Sequence, residues 1–240
     1  MAKTNVSGKK KFFITVLYII LTLTVVYFIL FQTSIFKINK IQVVGNENLS
    51  YNYIKNFSGI VEGENIFKIK PKEVEKILLK NPYIKTCSVI IKYPSTVEIK
   101  IKERKIIAQV LYDKINYLMI DKEGVVVKEG QYDPDLLLIK GIKIHKYKIG
   151  EKISSDFDGS IIANILALLK QNDLYKEITY INYDKILLET KRGINIVFDR
   201  PDDINYSLKC TEIILKDLID KGYNKGTIEI TGNNNPVFLP

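Results

Sequence analysis

From Phe12 to Phe31 the chain reads FFITVLYIILTLTVVYFILF, twenty consecutive residues without a charge, a glycine or a proline. At about 1.5 Å of rise per residue, a helix of this length is about 30 Å long, the thickness of a bilayer's hydrocarbon core. Inside lipid a lone segment satisfies its backbone N–H and C=O groups only as a helix, so the run predicts a spanning helix. Thr15, Thr22 and Thr24 are compatible with it, because a hydroxyl bonds back to the preceding turn. Phe12, Phe13, Tyr27, Phe28 and Phe31 gather at its two ends, where aromatic rings favour the lipid–water boundary. A cleaved signal peptide is the rival reading. Its apolar region spans about 7–15 residues and ends at a small-x-small site, and Gln32-Thr33-Ser34-Ile35-Phe36 is a poor site of that kind.

The chain is therefore expected to carry a cytoplasmic tail at 1–11 and an uncleaved transmembrane segment at 12–34. Lys3, Lys9, Lys10 and Lys11 precede the span and outnumber Lys37 and Lys40 just after it. The positive-inside rule then keeps the amino terminus in the cytoplasm and places everything beyond about Ser34 outside, the single-pass type II arrangement.

Net charge is +9, and setting the four leading lysines aside leaves +5 for the remainder. Such a surface suits anionic lipid or cell-wall polymer, and equally a lysine-rich solvated face. Nucleic acid is a poor fit: there is no zinc-finger spacing, arginine stripe or glycine–aromatic RNA-binding signature. Cys87 and Cys210 form neither a metal-ligand pattern nor a disulfide framework, and each reads as a small apolar side chain.

After the span, residues 36–104 read as a compact β-α-α-β-β unit. Phe36–Val44 alternates as a half-buried strand does, and Gly45-Asn46 breaks it. Ser50 is a candidate N-cap for a short helix with Ile54 and Phe57 on one face, closed by Ser58-Gly59. Pro71 occupies a first-turn position for a second helix striped by Val74, Ile77 and Leu78, and Asn81-Pro82 stops it. Cys87, Val89, Ile91 and Tyr93 then alternate. After Pro94-Ser95, Val97, Ile99 and Ile101 alternate against Glu98, Lys100 and Lys102, which predicts a strand with one wet side.

Residues 105–231 are strand-rich. Ile106–Leu111, Tyr117–Ile120 and Val125–Val127 form an expected meander, with Leu136–Ile139 after it. A helix is expected from about Ser155, bearing Ile161, Ile165, Leu168 and Leu169. Strands follow near Ile178–Tyr183, Ile186–Glu189 and Ile194–Phe198. A second helix is expected over Asp202–Lys221, with Ile204, Leu208, Leu215 and Leu218 as its stripe. Thr227–Thr231 is the expected final strand, and 232–240 a polar tail. The fold class is thus α+β: a transmembrane helix, a small β-α-α-β-β domain, and a second mixed β-sheet domain with two helices.

Enzymatic signatures are sparse. His145 has no nearby Ser or Cys at a strand–helix elbow, and no glycine-rich phosphate loop is present. Asp133 and Asp135 flank Pro134 as turn residues do, and Asp121 reads as a turn former rather than a general base. No catalytic residue, cofactor or metal cluster is expected, and binding or scaffolding is the better reading.

At this point the order of short words becomes recognisable. Val44-Gly45-Asn46, Leu49-Ser50, Gly63-Glu64-Asn65-Ile66-Phe67, Asn81-Pro82-Tyr83-Ile84-Lys85, Tyr93-Pro94-Ser95-Thr96-Val97 and Glu103-Arg104 follow one another as in the POTRA domain of the FtsQ/DivIB division-protein family. The Ile120-Asp121 turn to Gly124 resembles the start of that family's β-rich second domain. The resemblance is dense over residues 36–127.

It implies a non-enzymatic scaffold of the bacterial divisome in the cytoplasmic membrane at the septum. The implied partners are FtsL-like and DivIC/FtsB-like bitopic coiled-coil proteins and, through them, a septal penicillin-binding protein and an FtsW-like synthase. In related proteins the last strand of the β domain accepts a partner strand, which points here to Thr227, Ile228, Glu229, Ile230 and Thr231. That strand could instead be internal to the sheet, or shielded by the Asn233–Pro240 tail. The POTRA unit could be a rigid spacer or dock membrane-proximal partners itself. Two other function classes compete: a membrane-anchored receptor for anionic wall polymer or lipid, and an outer-membrane assembly component. The latter generally carries a barrel or repeated units, and the chain reaches Pro240 without either.

Overall fold

The computed structural model describes residues 6–113, 115–153, 159–171, 174–185, 187–198, 204–230 and 236–240. The apolar run lies within helix α1 (Val6–Gln32). Its stretch Lys10–Gln32 is long and apolar enough to cross a membrane, and none of it is buried inside the protein. Thr15, Thr22 and Thr24 donate to the carbonyls of Lys11, Tyr18 and Ile20, each four residues back, at 3.0, 2.8 and 2.8 Å. The hydroxyls are therefore satisfied within the helix, as an apolar surround requires. The helix stops at Gln32, two residues before the expected end, and Ser34–Phe36 forms a single 3-10 turn.

The chain forms two compact units, Met1–Glu103 and Arg104–Pro240. In the first, α1 is followed by β1 (Lys40–Val44), α2 (Tyr51–Ser58), α3 (Pro71–Leu78), β2 (Ile84–Lys92) and β3 (Thr96–Glu103). The sheet order is β1-β3-β2, with β1 parallel to β3 and β2 antiparallel to it. Local chemistry sets the helix ends. The Ser50 hydroxyl accepts from the Tyr53 N–H at 3.2 Å, and Pro71 begins α3 where its missing N–H has no intrahelical use.

Cys87, Val89 and Ile91 stand directly opposite Ile101, Ile99 and Val97, so both alternating runs share one face. That face packs on Ile54, Val74 and Leu78 of the helices. Each fully buried Ile or Leu in such a core contributes about 1.5–3 kcal/mol relative to exposure. Burial pushes the Cys87 thiol up to about 11, helped by the nearby Glu75 carboxylate, so it behaves as an apolar side chain. Both cysteines are free thiols.

Three details depart from the sequence pattern. The first strand begins at Lys40 rather than Phe36. Ile77 points outward, 39% exposed. Glu98, on the expected wet face, is buried beneath Lys92 and Lys100, which both pair with it.

Glu103 ends β3 as a buried carboxylate, 7% exposed. It accepts from the N–H groups of Glu47, Asn48 and Leu49 at 2.8–3.1 Å and from the Asn48 side chain at 3.0 Å. Burial pushes its pKa up, but donation from Leu49, Asn48 and Glu47 outweighs burial and holds it below the ordinary 4.5. A depressed carboxyl stabilises the fold above its unfolded-state pKa, and the contribution disappears as pH falls through the folded-state value. Glu103→Gln is therefore expected to cost about 2 kcal/mol at pH 7 by leaving backbone donors facing an amide. The gap from wild type should narrow below about pH 4 in urea titrations. An equal gap at both pH values would contradict this account.

The second unit contains β4 (Ile106–Leu111), β5 (Tyr117–Asp121), β6 (Val126–Gly130), β7 (Leu137–Lys140), α4 (Gly159–Gln171), β8 (Ile178–Asn182), β9 (Leu187–Thr190), β10 (Ile194–Phe198), α5 (Ile204–Asp220), β11 (Gly226–Ile230) and β12 (Pro236–Leu239). Its nine strands order as β12-β11-β10-β9-β8-β7-β4-β5-β6. Pairs β10/β11, β4/β7 and β7/β8 are parallel. Helices α4 and α5 pack their buried Ile162, Ile165, Leu166, Leu169, Leu208, Leu215 and Leu218 on one core with the strands. Ile162 and Leu166 take the place that the sequence pattern gave to Leu168, which is only partly buried. The expected helix starts at Ser155 and Asp202 and the expected strand start at Ile186 lie outside the described residues, as does the side chain of Ile161.

Candidate partner-binding edge

A sheet of nine strands has two outer edges, and each presents backbone donors and acceptors that something must satisfy. At one end, the chain itself occupies the outer side at the start of β6. Val126 N–H donates to the Glu151 carbonyl at 3.0 Å, Gly150 N–H donates to the Val126 carbonyl at 2.7 Å, and Val125 bridges Lys152. Ile153 N–H closes on the Gly124 carbonyl at 3.0 Å. At the other end stands β12, which pairs on its inner side with β11. Among the described residues no backbone bond reaches its outer side.

Thr227–Ile230 follows the alternative left open for the expected accepting strand, internal to the sheet. Thr227–Ile230 belongs to β11, with both edges used: parallel to β10 on one side and antiparallel to β12 on the other. Thr231 lies outside the described residues. The tail is what closes the strand, because Pro236–Leu239 adds a further rung. Among the described residues the free edge thus falls on the next strand, β12.

Alternation gives β12 two faces. Ile228 lies opposite Phe238 and Ile230 opposite Pro236, on the core side; Glu229 lies opposite Val237 and Thr227 opposite Leu239, on the other side. Phe238 packs against the core and meets Tyr223 edge-on at 5.4 Å between ring centroids. Val237 and Leu239 remain 51% and 48% exposed. Pro236 is tolerable as the first residue of an edge strand, where its missing N–H breaks no ladder. The edge therefore offers backbone groups together with two apolar side chains, the combination that strand addition uses for affinity and specificity.

Sequence reasoning missed β12 because three residues between two prolines read as a tail. A signal was present: Gly232-Asn233-Asn234-Asn235 separates two apolar runs, as a hairpin turn does.

The other singled-out residues have structural roles. Asp121 is buried, accepts from the Glu123 and Val125 N–H groups at 2.8 and 2.9 Å, and pairs with Arg104 at 2.6 Å. Asp133 accepts from the Asp135 N–H at 3.0 Å and so shapes its own turn. His145 is exposed. Among the described residues no group of three His, Cys, Asp or Glu side chains is placed to hold a metal. A cavity of about 260 Å³ lined by Tyr132, Asp135, Tyr175, Lys176 and Lys191, among others, falls below the roughly 300–1,000 Å³ of typical small-molecule sites.

Comparison with known proteins gives one family match and three relatives in agreement. Residues 36–104 match the family described as POTRA domain, FtsQ-type. The cell division protein DivIB of Clostridium acetobutylicum is 30% identical over 209 residues, covering 85% of this chain and 82% of that protein. DivIB of Clostridium botulinum strain Hall is 28% identical over 234 residues, covering 94% and 90%. The cell division protein FtsQ of Geotalea daltonii is 29% identical over 170 residues, covering 67% and 58%.

Proposed function

This chain belongs to the DivIB/FtsQ family of cell-division proteins, and from that premise we propose that it is a non-enzymatic scaffold whose β12 edge receives a strand from a division partner. Membership places it among membrane-anchored proteins of the division machinery, and α1 is the candidate anchor. The partners of this reading are FtsL-like and DivIC/FtsB-like single-span coiled-coil proteins. Through them it acts on a septal penicillin-binding protein and an FtsW-like synthase. The amino terminus lies in the cytoplasm and both folded units outside, at the septum.

One observation supports this most directly: the outer side of β12, unpaired among the described residues, backed by Thr227–Ile230 and flanked by exposed Val237 and Leu239. A strand laid there completes the ladder and covers both apolar side chains. Thr227, Ile228, Glu229 and Ile230 act by ordering β12 rather than by touching the partner strand.

The test is co-purification of the full chain with the two coiled-coil proteins in mild detergent. The V237E/L239E variant leaves the core face intact and should weaken capture at least tenfold, equivalent to about 1.4 kcal/mol or more. Its melting profile should match wild type. Normal capture by a folded variant would refute strand addition. Capture of wall polymer that falls steeply with salt, without any coiled-coil protein, would favour the receptor reading.

A further inference from the structure

The first unit does not hang from its anchor by a free linker. The Asn65 side chain donates to the Leu30 carbonyl at 2.7 Å, in the last turn of α1, and its oxygen accepts from the Phe67 N–H at 2.9 Å. A carbonyl left open at a helix end is thereby satisfied by the folded domain. Beside this clamp runs a chain of rings. Tyr27 and Phe31 of α1 lie 5.0 Å apart between centroids, Phe31 and Phe67 6.0 Å, Phe67 and Phe36 5.1 Å, and Phe67 and Tyr93 5.4 Å.

The cluster is only half covered by protein. Phe67 is 38% exposed, Tyr93 60% and Ile35 55%. Exposed Lys37 follows Phe36, and exposed Lys68 follows Phe67. In water such a patch is unfavourable. At a bilayer surface it is not: aromatic rings favour the headgroup level, and lysine stems extend toward phosphate. The patch is continuous with the outer end of the membrane-spanning helix, and the headgroup layer extends roughly 5–8 Å beyond the hydrocarbon core. Phe67 and Tyr93 are one and two ring contacts from Phe31.

We propose that Phe36, Phe67 and Tyr93 form an interfacial seat, sunk in the headgroup layer of the bilayer that α1 crosses, which fixes the domain's stance on the membrane. The occupant of this surface is lipid. The ring faces meet acyl chains and glycerol esters, while Lys37 and Lys68 meet phosphate.

The chain contains no tryptophan, so a single substitution gives a single reporter. F67W and Y93W keep the aromatic character of the seat. T86W, on an exposed residue of β2, lies seven residues along the strand from Tyr93, about 23 Å at 3.3 Å per residue. The full chain is reconstituted in phosphatidylcholine–phosphatidylglycerol vesicles carrying acyl chains brominated close to the headgroup. F28W within the span reports that insertion succeeded. Tryptophans at 67 and 93 should be quenched at least threefold more than that at 86. Quenching at 67 and 93 no greater than at 86, with F28W quenched, overturns the seat. If F67W alone proves misfolded by circular dichroism, Y93W against T86W decides, since Tyr93 is mostly exposed and tolerates the larger ring.

Discussion

Gly45→Ala should destabilise the POTRA domain by about 3–5 kcal/mol, the largest single-residue effect expected in this protein. Two causes add. The backbone at Gly45 has φ +87°, in the left-handed region, which costs a side-chain-bearing residue about 1–2 kcal/mol. A Cβ there would also stand 2.1 Å from the Ile101 carbonyl oxygen, a backbone atom of β3. Because β1 pairs with β3 in register through Val44 and Lys100, neither strand can retreat without breaking that pairing. For a domain of this size the change corresponds to a fall of roughly 15–30 °C in Tm. Gly59→Ala separates the causes, since φ is +71° there but no atom lies within 4 Å of the added carbon. It should cost only about 1 kcal/mol. Hydrogen exchange resolved over residues 38–103 is the measurement, because the two units need not unfold together. Equal effects at the two positions would show that the close approach to Ile101 does not matter.

The second large effect is expected at Gly226. Its φ is +124°, and an added Cβ would lie 2.5 Å from the Phe238 ring and 2.8 Å from the Leu239 carbonyl oxygen. Gly226→Ala therefore acts on β12 from beneath. The ring that seats the strand must move, and the strand has four residues with which to hold on. A cost of about 3 kcal/mol shifts the opening of β12 roughly a hundredfold. Exchange of the β12 amides that pair with β11 should rise by that factor, while buried Ile194 and Ile196 of β10 stay protected. Partner capture should fall with it. V237E/L239E and Gly226→Ala thus attack the same edge by different routes, side-chain chemistry in one and strand order in the other. If β12 loosens and capture is unchanged, the edge is not where the partner binds.

Much of this architecture was legible in the sequence because single-residue devices announced it. A charge-free run of twenty announced α1, Ser50 and Pro71 fixed two helix starts, and period-two alternation gave β2 and β3 their shared face. What was illegible depended on pairing across distance. Glu98 looks like a wet-face residue until Lys92 and Lys100 are seen to close over it. The stripe of α4 was misassigned because Leu168 and Ile162 are equally apolar, and only the sheet beneath decides which is covered. Glu103 reads as the end of a strand, and nothing local reveals the three backbone donors it collects from residues 47–49. The position of the sheet's edge was illegible for the same reason: whether Thr227–Ile230 is an edge depends on what the following residues do.

The covered flank of β6 has a consequence for assembly. Head-to-tail stacking of copies would need two open flanks per chain, one to give and one to receive. With residues 150–153 bonded along Gly124–Val126, the start of the β6 flank is already occupied, whereas among the described residues the outer side of β12 is open. Two copies joined at β12 would face each other about a twofold axis. The β6 end of the large sheet is therefore partly closed against stacking by the chain's own backbone.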